Sequence, residues 1–167
     1  IMFGKPDLSM CLNGILAGLV AITAGCATTT LFGALIIGAI AGILVVLAVV
    51  FVERVLHVDD PAGAISVHCV NGVWGTIACG LFNAEACIGT AKASTGLFYG
   101  GGCNQLISQL IGAGTACLWA FGLGMVLFMT LKKVGMLRAS ADEELKGLDI
   151  TEHGNDAYGG FQIFSNQ

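Results

Sequence analysis

Charged side chains are absent from residues 8–52, return between Glu53 and Asp60, and are absent again from Pro61 to Ala84. At ~1.5 Å per residue the first run would be about 67 Å long as one helix, against a bilayer core of about 30 Å. It therefore predicts two spans. The break falls where Gly25-Cys26-Ala27-Thr28-Thr29-Thr30 weakens the helix signal, giving a short span over 8–24 and a second over 31–52. Asp60 before Pro61 reads as a helix start, the carboxylate capping free N–H groups and the proline suiting the first turn. A third span is expected over 61–82. A mixed loop with Glu85, Lys92 and the triplet Gly100-Gly101-Gly102 follows. The fourth uncharged run, 103–131, would be about 44 Å long, so it should tilt or bend, with Gly112 and Gly114 as candidate bend points. Lys132 and Lys133 end it. The pattern predicts an all-α, polytopic transmembrane helix bundle over 1–131 and a polar tail over 132–167. The tail is either partly ordered against the membrane part or disordered.

Composition supports a bilayer setting. The chain has 167 residues, 11 % of them charged, where a soluble domain carries about 25 %. A net charge of −4 without a basic block gives no reason to expect a nucleic-acid partner. With four spans, Lys5, Arg54, Lys132, Lys133, Arg138 and Lys146 fall on one side and Lys92 on the other. The excess of basic residues places both ends in the cytoplasm. The seven cysteines show no CxxC spacing. They read as small packing residues, although Cys87 and Cys103 flank the outer loop and a disulfide between them is open. No metal or other cofactor is expected. The chain opens on Ile1 rather than Met, which reads as a piece of a longer polypeptide. Gly14/Gly18 and Gly38/Gly42 form two GxxxG pairs, which suit spans that pack against other helices.

His68 is the residue most suited to chemistry, because ionisable groups inside spans are scarce and usually functional. The bland alternative is a histidine hydrogen-bonded to a neighbouring helix. In α-helical projection Pro61, Ala64, Gly72, Gly75 and Cys79 share its face. All are small, so either another backbone packs there or a lumen runs past the imidazole. Trp74 projects opposite His68, toward packing or lipid, and Trp119 and Phe121 also read as structural. Asp60 is a helix cap, an anion near an inner pore mouth, or both.

The stretch DDPAGAISVHCVNGVWGTIACGLF, Asp59 to Phe82, resembles the tenth span of the ammonium transporter (Amt/MEP) family. Upstream, GKPDLSMCLNGILAGLVAITAGC and FGALIIGAIAGILVVL resemble its eighth and ninth spans, and GLDITEHGNDAYGGF resembles its cytoplasmic tail signature. The resemblance covers nearly the whole chain, in order. It implies an eleven-span inverted-repeat transporter, assembled as a homotrimer with one pore per subunit, of which this chain holds spans eight to eleven. Two histidines, one from each repeat, meet in the family's narrow apolar pore; His68 matches the second. Ala64 and Ile65 match positions lining its inner part. Where most relatives read VHGVCG this chain reads VHCVNG, so Cys69 replaces a glycine and Asn71 a cysteine. Asn71 either bonds the histidine or faces another helix.

In the tail, Asp149, Thr151, His153, Gly154 and Tyr158 match the segment that couples neighbouring subunits. In some members the threonine matching Thr151 is phosphorylated, which closes the pore. PII-type signal proteins are implied partners in a prokaryote. The resemblance thus implies ammonium or ammonia transport across the cell membrane, with a non-conducting ammonium sensor on the same fold as the alternative. An integral membrane enzyme is disfavoured, since no triad or second catalytic group accompanies His68.

Overall fold

A computed structural model of the chain describes residues 7–84 and 94–155. Every regular element among them is helical, apart from one isolated β-bridge between Thr29 and Asn83. Lys5, Cys87, Lys92 and Tyr158 lie outside the described residues, and with them the question of a Cys87–Cys103 disulfide. Contacts divide the chain into two units, 1–118 and 119–167.

In the first unit, α1 (Leu8–Thr23) begins where the Met10 N–H donates to the Asp7 carboxylate at 2.8 Å. Helix α2 (Leu31–Arg54) is capped by Thr30, whose Oγ1 accepts from the Gly33 N–H at 3.1 Å. Its buried positions include Gly33, Ile37, Ala41, Val45, Val49 and Val52. That spacing of three to four puts them on one face. The other faces carry Leu35, Ile43, Leu47 and Phe51, all exposed. A helix that is apolar all round has no face suited to water.

The third helical segment starts later than the Asp60-Pro61 pattern predicts. Residues 61 and 62 form a turn, closed by the Gly63 N–H donating to the Asp60 carbonyl at 2.9 Å. Gly63 stands at φ +70°, a left-handed conformation that interrupts any helical path from Pro61. Asn13 of α1 lies where a side chain on Gly63 would go. The helix therefore begins with a π-helical turn over Ile65–Val70 and continues as α3 (Asn71–Phe82).

Helices α1, α2 and α3 meet around Ala17, Ala21, Ile37, Ala41, Val45, Val67, Ala78 and Phe82. Lipid tails are as apolar as these side chains, so close packing rather than exclusion of water holds such helices together. Gly75 sits against the Ala21 carbonyl of α1. Trp74 joins this core, its indole N–H donating to the Ile37 carbonyl at 3.1 Å. The threonine-rich break after α1 holds the far end of α3: Thr28 Oγ1 donates to Asn83 Oδ1 at 2.7 Å, and the Ala84 N–H to the Thr28 carbonyl at 2.8 Å.

A 3-10 turn over Leu97–Tyr99 leads toward α4 (Asn104–Lys133). Helix α4 is helical without interruption through Gly112 and Gly114. Gly80 of α3 packs against the Leu106 backbone. Three helical segments, Leu31–Arg54, Ile65–Phe82 and Asn104–Lys133, are long and apolar enough to cross a membrane, while Leu8–Thr23 is shorter.

In the second unit, Lys132 and Lys133 occupy the last turn of α4, where cations complement the helix dipole. Two short helices follow, α5 (Ala141–Lys146) and α6 (Asp149–His153). A capping box starts α5: Ser140 Oγ accepts from the Glu143 N–H at 3.3 Å, and the Glu143 carboxylate accepts from the Ser140 N–H at 2.8 Å. Gly154, at φ +65°, ends α6.

Candidate functional site

Asp60 is 5 % exposed, and its carboxylate accepts three hydrogen bonds at 3.2 Å, from the Ile65 N–H, the Ser66 N–H and the Ser66 hydroxyl. It thus caps the helix across the Gly63 turn, reaching five and six residues forward. A cavity of about 210 Å³ opens beside it, lined by residues including Asp7, Asn13, Glu53 and Arg54.

The capped segment is the π-turn. Its i→i+5 pattern inserts extra backbone into the helix, and such turns often occur at functional sites. Here it turns Ser66 and Val67 inward, where both are buried, and leaves Ala64, Ile65 and His68 exposed within little more than one turn of each other. The His68 ring has no hydrogen-bond partner among the described residues.

The small face read from helical projection does not hold as one surface. Gly75 and Cys79 are buried, whereas Pro61, Ala64 and His68 are exposed. Projection at 3.6 residues per turn does not carry across an i→i+5 turn. A neighbouring backbone, that of α1, takes the Gly75 part of the face.

Of the two things considered for Asn71, no side-chain hydrogen bond to the histidine forms among the described residues. Asn71 is fully buried, and its side-chain N–H donates to the Ser66 carbonyl at 2.9 Å. Its Oδ1 has no hydrogen-bond partner among the described residues. The Cys69 thiol lies against that of Cys117 in α4.

In the tail, Asp149, Thr151 and His153 lie on α6 and are exposed, with Gly154 as its terminal residue. Among the described residues no group of three or more His, Cys, Asp or Glu side chains is placed to hold a metal ion. Ser66 and Asn71 escaped the sequence reading as partners. A serine inside an apolar run carries no distinguishing signal, and no compositional pattern marks a π-turn.

The Ammonium Transporter Family model matches residues 1–158. Ammonium transporter Amt2 of Archaeoglobus fulgidus is 45 % identical over 162 residues, covering 95 % of this chain and 34 % of the relative. Ammonium transporter 3 of Dictyostelium discoideum is 37 % identical, covering 95 % of this chain and 37 % of the relative. Among solved structures, one described as a sensor Amt protein superposes with a TM-score of 0.77 at 40 % identity, covering 90 % of this chain and 35 % of that one. Candida albicans Mep2 gives a TM-score of 0.69 at 27 % identity, covering 78 % and 29 %. This chain spans about a third of the length of these curated relatives. With a family model matched along nearly all of its residues and curated relatives at 37 and 45 % identity that are named as transporters rather than enzymes, the chain belongs to the ammonium transporter family.

Proposed function

We propose that the protein carrying this chain moves ammonium or ammonia across the cell membrane through a channel-like pore, and that His68 lines that pore with Ala64 and Ile65 beside it. The observation that carries this reading is an exposed imidazole, without a hydrogen-bond partner among the described residues, on an irregular turn of a span-length apolar helix. Bringing an ammonium-sized cation into a medium of ε ≈ 4 costs on the order of 20 kcal/mol before relaxation. Neutral ammonia costs a few kcal/mol, less wherever it finds a hydrogen bond. A pore that parts the proton from ammonia therefore lowers the barrier, and a neutral imidazole can accept, donate and relay that proton. The partner in such a relay is a second histidine from the other repeat.

The wider reading follows the same family. A homotrimer in the cell membrane, with a cytoplasmic tail, would pack neighbouring subunits over the exposed α6 residues. Asp149, Thr151, His153, Gly154 and Tyr158 are its candidate coupling positions. Thr151 is a candidate phosphorylation site, where about −1.5 to −2 of added charge would disturb a contact. PII-type proteins are candidate partners of the same surface.

The test is His68→Ala in the protein expressed from its complete gene, read as ammonium-dependent current or uptake in proteoliposomes. Loss of a group that relays a proton should lower the rate by roughly a hundredfold. Saturable ammonium currents of normal size in that variant defeat the reading. Resemblance to a solved sensor Amt protein favours a second reading, a non-conducting sensor. Wild-type protein that binds ammonium but carries no saturable flux would select the sensor.

A further inference from the structure

The π-turn that presents His68 is closed by a side chain. At its end the Asn71 backbone N–H donates to the His68 carbonyl, three residues back. Asn71's own carboxamide donates to the Ser66 carbonyl, five residues back, at 2.9 Å. The side chain thus supplies at Ser66 the i→i+5 bond that the backbone of the same residue does not make. Ser66 is fully buried and is held from the other direction by the Asp60 carboxylate, through both its N–H and its hydroxyl at 3.2 Å. Asp60, Ser66 and Asn71 therefore clamp the turn at both ends from the buried side, while His68, between them in sequence, stands exposed on the other.

We infer that Asn71 is a positioning residue for His68: its carboxamide, bonded to the Ser66 carbonyl, locks the π-turn and so sets the direction in which the imidazole is presented. The inference rests on the reading of His68 as a pore residue. The residue type suits the task. A carboxamide has a donor for the buried carbonyl and is short enough to bend back onto its own helix. Its Oδ1 is left without a partner among the described residues while fully buried, which is costly for a polar atom. A residue chosen for stability alone has no reason to carry that burden. Asn71→Ala removes the donor and the orphaned acceptor together, so the losses in folding partly cancel while the lock is lost.

The test uses the protein from its complete gene in proteoliposomes, with rates normalised to folded transporter. A misplacement of ~1 Å at a reacting group can cost about a hundredfold, so Asn71→Ala should lower the maximal rate per molecule by roughly ten- to hundredfold. In the His68→Ala background the same substitution should lower it no further. In ¹⁵N-histidine spectra the His68 ring signals should move in Asn71→Ala, while those of His57 and His153 stay in place. Asn71→Cys keeps a weak S–H donor and should fall between wild type and alanine. It also carries the test if Asn71→Ala does not accumulate: a reduced rate with shifted His68 signals is then the expected result. Wild-type rates and unmoved His68 signals in the variants, or effects of Asn71→Ala and His68→Ala that multiply in full, overturn the inference. If His68→Ala transports normally, the pore reading fails and this inference with it. If only the Asn71 variants are normal, the pore reading stands and this inference alone falls.

Discussion

At Glu143 one carboxylate oxygen accepts from both the N–H and the hydroxyl of Ser140, at 2.8 and 2.7 Å. The Ser140 side-chain bond, followed by its backbone bond, holds the Glu143 carboxyl below the usual carboxylate range. A depressed folded-state pKa means that the capping contribution is complete above the unfolded Glu pKa. It is lost as pH falls through the lower, folded value. The start of α5 should therefore fray on acidification through and below the ordinary Glu range, read as loss of helical ¹³Cα shifts over residues 141–146. Glu143→Gln, which keeps an acceptor without a titrating proton, should abolish that pH step; a step of unchanged size would rule out the cap as its cause. This box is written in the sequence as Ser140-Ala141-Asp142-Glu143, the S-x-x-E pattern of a helix start, yet the tail's polarity masks it. His68 was legible for the opposite reason, as an ionisable residue in an uncharged run. Asn71 was visible as a departure from the family pattern, but not as a partner of Ser66. That contact depends on backbone geometry rather than on residue spacing.

Between elements, small residues decide which backbones touch. Gly75 meets the Ala21 carbonyl, so a methyl group there must push α1 away from α3. Overpacking of this kind costs typically about 1–3 kcal/mol. Gly38, one of the GxxxG glycines of α2, has nothing among the described residues within 4 Å of the place its Cβ would take. Ala at a mid-helix position free of contacts is favoured over Gly by roughly 0.5–1 kcal/mol. Denaturant titrations of the purified protein should therefore show Gly75→Ala clearly destabilised and Gly38→Ala at least as stable as wild type. Equal losses in the two variants would contradict the packing described for α1 and α3. The long uncharged runs made the spans legible, because the run over 8–52 exceeds what one span can use and has to fold back. The start of the third helix was misread, because Asp-Pro is a good first turn only if the residues after it stay helical. Gly63 at φ +70° does not. Projection of small residues onto one face then failed for a related reason, since it assumed a uniform helix through the π-turn.

For the whole molecule, the proposed orientation rests on the basic residues and on the family's cytoplasmic tail, and the basic residues are few enough to test one by one. Four ordered segments made family membership legible, because a span order is hard to match by chance, but sidedness does not follow from packing among helices. It follows from the cost of moving Lys and Arg across the bilayer during insertion, which leaves them on the cytoplasmic side. Lys132 and Lys133 end α4, and Lys146 ends α5; on the proposed topology all three face the cytoplasm, and Lys92 faces out. A membrane-impermeant amine reagent applied to intact cells, followed by mass spectrometry, should modify Lys92 and leave Lys132, Lys133 and Lys146 unmodified until the cells are permeabilised. Modification of Lys146 on intact cells would invert the orientation. It would also remove the tail from reach of cytoplasmic kinases and PII-type proteins, so one labelling pattern decides both the topology and whether the tail can be regulated as proposed. Lys146 is the most telling position, because it belongs to an exposed short helix and its accessibility depends on sidedness rather than on burial.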